Sequence, residues 1–303
     1  MATDTSVSRA LAPGTRSNGI EVVLGGGGVK GFGHVGTLKA IEELKIDIGE
    51  ITGVSIGSAV AALYANGFTT DQICEIFLRE LRRISPSLTD RTVRVRNILN
   101  GGLIDLSVMF QDIVSRYDLR PQPNLRILAY NVLKRQPVLF EGTRYNLAMA
   151  IAASCAVPGV MRPVWFGEND VLSRVRTILG GRRSKVSEGV LVDGGVYHPC
   201  PGDLCQRTAI ISKLGFATRL PSELLSPVDM VMHLLEMTGS LFMDRLYPDP
   251  KRHIVIHTGM PNVAGLTFGI SKELCLELVD HGYQQSHRTL AQAISQGRVP
   301  LKP

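Results

Sequence analysis

The chain has 303 residues, 44% of them apolar, which is ample for a buried core and compatible with one large domain. Its longest apolar stretches, residues 58–65 and 149–157, fall well short of the roughly 20 residues needed to span a bilayer, so a soluble protein is expected. A net charge of +6 favours an anionic contact, and the absence of aromatics among the basic residues argues for phospholipid headgroups over nucleic acid.

Residues 1–19 lack the apolar segment of a secretory signal and have the composition of a disordered arm, so a cytoplasmic protein in peripheral contact with membrane is expected. An export address read by a receptor needs no apolar segment and stays open. The β-branched run 20–24 stops at four glycines and reads as a buried strand entering a tight loop. Val35, Leu38, Ile41 and Leu44 recur at helical spacing over 32–44. A second strand at 51–54 leads through Ser55 into a small-residue helix over 57–66, which Gly67 ends. Further strands are expected at 125–131, 137–141, 189–192 and near 253–257. Helices are expected at 70–84, 106–116, 146–153, 227–246 and 272–296.

Strands alternating with helices predict an α/β fold: a central, mostly parallel sheet with helices on both faces. Neither a repeat nor a linker divides the chain, so one domain over about 20–296 is expected between the arm and a short tail, 297–303. The basic clusters Arg79, Arg82, Arg83, then Arg91, Arg94, Arg96, then Arg182, Arg183, Lys185 read first as solvated faces. Residues 172–187, basic and carrying a glycine pair, suit a mobile surface insertion. Five scattered cysteines, with Cys200 and Cys205 the only close pair, point to free thiols in a reducing compartment and away from a metal site.

Three clusters carry chemistry. Gly53-Val54-Ser55-Ile56-Gly57 lies between an apolar strand and a helix, the context in which a strained turn exposes a serine oxygen. Residues 25–31 (GGGGVKG) follow a strand and can turn backbone N–H groups toward one anion. The spacing Gly26-x-Gly28-x-x-Gly31 also fits a dinucleotide fingerprint. That reading needs an acid at the end of the next strand, where Ser55 stands instead. A Walker loop fails because Lys30 is followed by Gly31 and Phe32. An oxyanion hole built from Gly26, Gly27 and Gly28 remains. Asp193-Gly194-Gly195 puts a carboxylate at a strand end, where glycines let it approach a nucleophile; alone it is an ordinary turn signal.

Taken in order, GGGGVKGFGHVG, GVSIG and DGG resemble the patatin-like phospholipase family. ASCAVPGVMRPV (153–164) and the final helix with His281-Gly282-Tyr283 extend the similarity over about 20–295. The resemblance implies a three-layer α/β fold and a serine acyl hydrolase acting on phospholipids, lysophospholipids or neutral lipids without metal or cofactor. It assigns Ser55 as nucleophile, Asp193 as base, and Gly26, Gly27 and Gly28 as the oxyanion loop. Lys30 becomes that loop's basic residue, and Gly31, Gly53, Gly57, Gly194 and Gly195 its supporting positions. The chain departs from the family's frequent Asn-x-Pro after DGG, having Val196-Tyr197-His198-Pro199 there. Two other readings stay open: a Ser-Asp-His triad for non-lipid acyl esters, using one of His198, His233, His253, His257, His281 or His287, and a non-catalytic lipid-binding module. A protein activator or homo-oligomer is not decided by sequence.

Overall fold

β1 (Ile20–Leu24), β2 (Ile48–Val54), β3 (Leu125–Asn131), β7 (Ala209–Lys213) and β8 (Ile254–His257) form the parallel body of one sheet. The computed structural model describes residues 19–89, 104–166, 189–215, 237, 248–263 and 270–301. With β4 (Gln136–Phe140), β5 (Val164–Phe166) and β6 (Gly189–Asp193) the described residues form eight strands in the order β5-β6-β3-β2-β1-β7-β8, with β4 paired to β3 off that path. Pro137 is tolerated in β4 because a proline cannot feed a central ladder and this strand lies at an edge.

The pairing of β3 positions the site. Its residues Ile127 and Leu128 pair with β2 on one side and β4 on the other, while Ala129 to Asn131 pair with β6 and β4. β2 and β6 therefore share one side of β3. They approach head to head, with Val54 opposite Leu128 and Asp193 opposite the next residue, Ala129.

Side chains alternate between the two faces of a strand. On one face Val22, Leu24, Ile51, Ile127, Leu191 and Ile210 join a continuous core. Among the described residues six helices contribute to it: α1 (Phe32–Glu43), α2 (Ile56–Ala65), α3 (Thr70–Thr89), α4 (Leu106–Arg116), α5 (Leu147–Ser154) and α6 (Lys272–Ser295). On the other face Val23, Ala209 and Ile211 pack with Cys200 and Cys205 of the segment after β6. Of the helix expected over 227–246 only Met237 is described, as helical and exposed, and the insertion over 172–187 lies outside the described residues.

The sequence reading started β2 three residues late and passed over β7 and β5. Gly49 and Glu50 look wrong for a buried strand until Arg126 is placed. Its guanidinium lies 2.5 Å from Glu50 and 3.0 Å from Glu21, all three buried, and its Nε donates to Thr52 Oγ1 at 3.1 Å. Ion pairing at this burial lets charged residues occupy the middle of a sheet. At the other end of the chain Val299 joins the core and Leu301 bridges Ile46.

Candidate active site

β2 ends against α2 with a single residue between them, so the chain must reverse at Ser55. That residue has φ 53° and ψ −129°, a conformation that costs a non-glycine residue on the order of 1–3 kcal/mol. Three bonds hold it there. The Ser55 N–H donates to Ser154 Oγ at 2.9 Å, and the Ser58 N–H and Oγ donate to the Ser55 carbonyl at 2.8 and 2.6 Å. Ser154 Oγ in turn donates to the Leu128 carbonyl at 2.6 Å. Gly53 and Gly57 permit the reversal by close approach: a Cβ on Gly57 would overlap the Leu24 carbonyl, and one on Gly53 the Ser58 backbone.

Asp193 ends β6 and caps the 3-10 turn Gly194–Val196. Its N–H donates to the Ala156 carbonyl at 2.9 Å, and its Oδ1 accepts the Gly195 N–H at 2.7 Å. Its Oδ2 accepts the Ser55 hydroxyl at 2.6 Å. Gly194 lies on the Leu128 carbonyl, where a side chain would not fit. Burial pushes the Asp193 carboxyl up to about 6, with the Ser55 and Gly195 hydrogen bonds pulling against it. A buried carboxylate is a stronger base than a solvated one, which is what removing a serine proton requires. Burial and the adjacent Asp193 also push the Cys155 thiol up, so it stands beside the pair uncharged.

The glycine loop sits across from Ser55. A Cβ on Gly26 would lie in ordinary van der Waals contact with the Ser55 Cβ, at 3.4 Å, whereas one on Gly31 would overlap Ile56. Gly28 has φ 56° and opens the 3-10 turn Gly28–Gly31, so the Gly27 and Gly28 amides precede the turn's first internal bond. The Gly26 amide is committed elsewhere, donating to the Pro199 carbonyl at 3.0 Å, and this corrects its expected place among the oxyanion donors. Lys30 is buried and its Nζ donates to the Gly215 carbonyl at 2.6 Å, tying the loop to the chain after β7.

The structure thus brings Ser55, Asp193, Gly26 and Gly195 together and gives Gly31, Gly53, Gly57 and Gly194 the close contacts that allow it. None of the six described histidines bonds to Ser55 or Asp193. His34 engages Gly25 and Ser212, His198 engages Asp203, and His253 accepts from the Ala209 N–H. His233 lies outside the described residues. Sequence reasoning assigned no role to Ser154, Ala156 or Pro199. The first two fall in the ASCAVPG segment, which could have pointed to them; nothing local marks Pro199.

A family model described as patatin-like phospholipase matches residues 22–204, and the chain belongs to that family. Over 189 residues it is 29% identical to an uncharacterized NTE family protein of Mycobacterium tuberculosis, covering 62% of this chain and 46% of that one. It is 35% identical over 107 residues to human patatin-like phospholipase domain-containing protein 6, covering 34% of this chain and 8% of that one. The chain therefore spans less than half the length of these relatives. The crystal structure of VipD from Legionella pneumophila shares the fold at a TM-score of 0.50 and 17% identity, covering 91% of this chain and 67% of that one.

Proposed function

We propose that the protein is a serine acyl hydrolase that cleaves fatty-acyl esters of phospholipids or lysophospholipids through a two-residue centre. The observation that carries this reading is the 2.6 Å hydrogen bond from Ser55 Oγ to Asp193 Oδ2 at a strained strand-to-helix turn, with no described histidine bonded to either. In the reaction Ser55 Oγ attacks the ester carbonyl carbon while its proton passes to Asp193 Oδ2. The tetrahedral oxyanion accepts hydrogen bonds from the Gly27 and Gly28 amides. The intermediate collapses, the ester C–O bond breaks, and Asp193 returns the proton to the departing alkoxide. Water then attacks the acyl-enzyme, giving its proton to Asp193. The second tetrahedral intermediate expels Ser55, which regains that proton, and the fatty acid leaves. Incubation of a mixed lipid extract with wild type and Ser55→Ala is the direct test: free fatty acid and lysolipid should accumulate only with wild type. Equal release by the two proteins would remove Ser55 from the chemistry.

The substrate side of the reading includes peripheral contact with an anionic bilayer. β3 runs three residues beyond its pairing with β2, so the β3–β4 turn stands past Ser55 at the same end of the sheet. That turn exposes Val132 (40%) and Leu133 (60%) beside the exposed cations Lys134 and Arg135, a combination suited to an anionic interface. Each cation near such a surface contributes about 1 kcal/mol. The variant Lys134→Ala, Arg135→Ala should lose roughly 30-fold in affinity for anionic vesicles at low salt and keep its turnover of a water-soluble ester. Vesicle binding indifferent to lipid charge and salt would end this part of the reading.

A further inference from the structure

The peptide unit between Gly25 and Gly26 is gripped at both poles. Its carbonyl lies 2.7 Å from His34 Nε2, and its N–H donates to the Pro199 carbonyl at 3.0 Å. One residue earlier the Gly25 N–H donates to the Ser212 carbonyl at 3.1 Å. The His34 ring is fully buried, and its Nδ1 lies 2.8 Å from Ser212 Oγ. Ser212 Oγ is in turn 2.8 Å from Thr258 Oγ1 and 3.0 Å from Thr37 Oγ1, and Ser286 donates to Thr37 at 3.0 Å. The tautomer follows from the partners. A carbonyl only accepts, so Nε2 carries the hydrogen, and a neutral ring must then accept at Nδ1 from the Ser212 hydroxyl.

We propose that His34 is a positioning residue for the oxyanion loop: as the Nε2–H tautomer it fixes the plane of the Gly25–Gly26 peptide and, through it, the direction in which the Gly27 and Gly28 amides point. The functional meaning of this lock rests on the acyl-hydrolase reading above. The physical need for it comes from the loop itself. A run of glycines has wide backbone freedom, and amides must be fixed before the reaction if they are to stabilise an oxyanion without reorganising. Side chains that would ordinarily restrict such a loop are absent from residues 25–28, so the restriction comes from outside. Burial holds His34 uncharged by bringing its pKa down to about 4, so the ring keeps one donor and one acceptor across the working pH range. The second grip comes from the segment that follows the base. Pro199 lies six residues after Asp193, and Cys200 Sγ packs where a Gly25 side chain would stand. The departure from the family's Asn-x-Pro pattern thus falls in a stretch that supports the glycine loop.

Three variants of the full chain test the lock, with a soluble ester as substrate and hydrogen exchange at residues 24–29 as a second readout. His34→Leu should lower kcat roughly 10- to 100-fold, leave KM within about twofold, and speed amide exchange in the loop. His34→Gln, whose amide nitrogen can reach the Gly25 carbonyl, should regain most of the lost kcat. Ser212→Ala, which removes the donor to Nδ1, should fall between them. Unchanged kcat and unchanged loop exchange in folded His34→Leu would overturn the proposal, as would equal losses in His34→Leu and His34→Gln. If His34→Leu does not fold, Ser212→Ala decides by the same two readouts. If the wild type cleaves no ester, the hydrolase reading falls on its own, and loop exchange alone decides whether the lock exists: faster in the variants upholds it, unchanged overturns it.

Discussion

Asp193→Asn should reduce kcat by about 10³-fold or more while leaving KM for a soluble ester close to the wild-type value. An asparagine has nearly the same shape, and its carbonyl oxygen can still accept the Gly195 N–H that Oδ1 accepts now at 2.7 Å. The amide nitrogen then faces Ser55 Oγ, to which it can donate but from which it cannot accept. The serine proton has no acceptor, and a positioned general base is worth about 10²–10⁴-fold. Ser55→Ala should lose at least as much. The double variant should lose little beyond either single one, because residues acting as one unit are not additive. The pH profile belongs to the same prediction. As the proposed base, Asp193 acts only when ionised, and burial raises its pKa to about 6. Wild-type kcat/KM should fall about tenfold per pH unit below 6 and level off above it. An Asp193→Asn protein turning over at more than a tenth of the wild-type rate, or a flat profile from pH 4 to 8, would refute the assignment.

The parts of this site that were legible from sequence are those enforced by local geometry. GVSIG announces a strand-to-helix reversal because close backbone packing leaves no room for a Cβ at Gly53 or Gly57, and DGG marks a carboxylate capping its own turn. The relation between them was not legible. It depends on β6 taking the side of β3 that β2 vacates, and no residue of either motif encodes that choice. Long-range partners were hidden for the same reason. The Gly26 amide looks like a free donor until Pro199 arrives from 173 positions away, and Ser154 looks like a helix-terminal serine until its Oγ meets the Ser55 N–H. Elements were misjudged where the cause was equally remote. Glu50 shortened the reading of β2 because its buried partner, Arg126, sits on another strand. β7, with only five residues and a polar end, gave too brief an apolar run to separate strand from loop. His34 is buried, and what the sequence withheld was which carbonyl it holds.

The same Asp193→Asn protein should be more stable than wild type at neutral pH, by about 2–3 kcal/mol. The unfolded chain releases the Asp193 proton near pH 3.9, whereas the folded protein holds it to about 6. Between these values the native state binds more protons than the unfolded one, so stability falls as pH rises. The contribution is fully present below about pH 4 and lost as pH passes through 6. Two pH units correspond to somewhat under 3 kcal/mol, with 1.36 kcal/mol per unit. An asparagine never ionises, so its protein should keep stability that the wild type surrenders on deprotonation. Urea unfolding of both proteins at pH 4, 6 and 8 should give midpoints that coincide at the lowest pH and separate as pH rises, the variant being the more stable. A gap that is constant across pH, or a variant weaker than wild type at pH 8, would contradict a base held at the expense of folding. Ser55 sits in a conformation that burdens every residue except glycine, so the proposed nucleophile and its proposed base each oppose folding, and the hydrogen bonds with Ser154, Ser58 and Gly195 keep both in place.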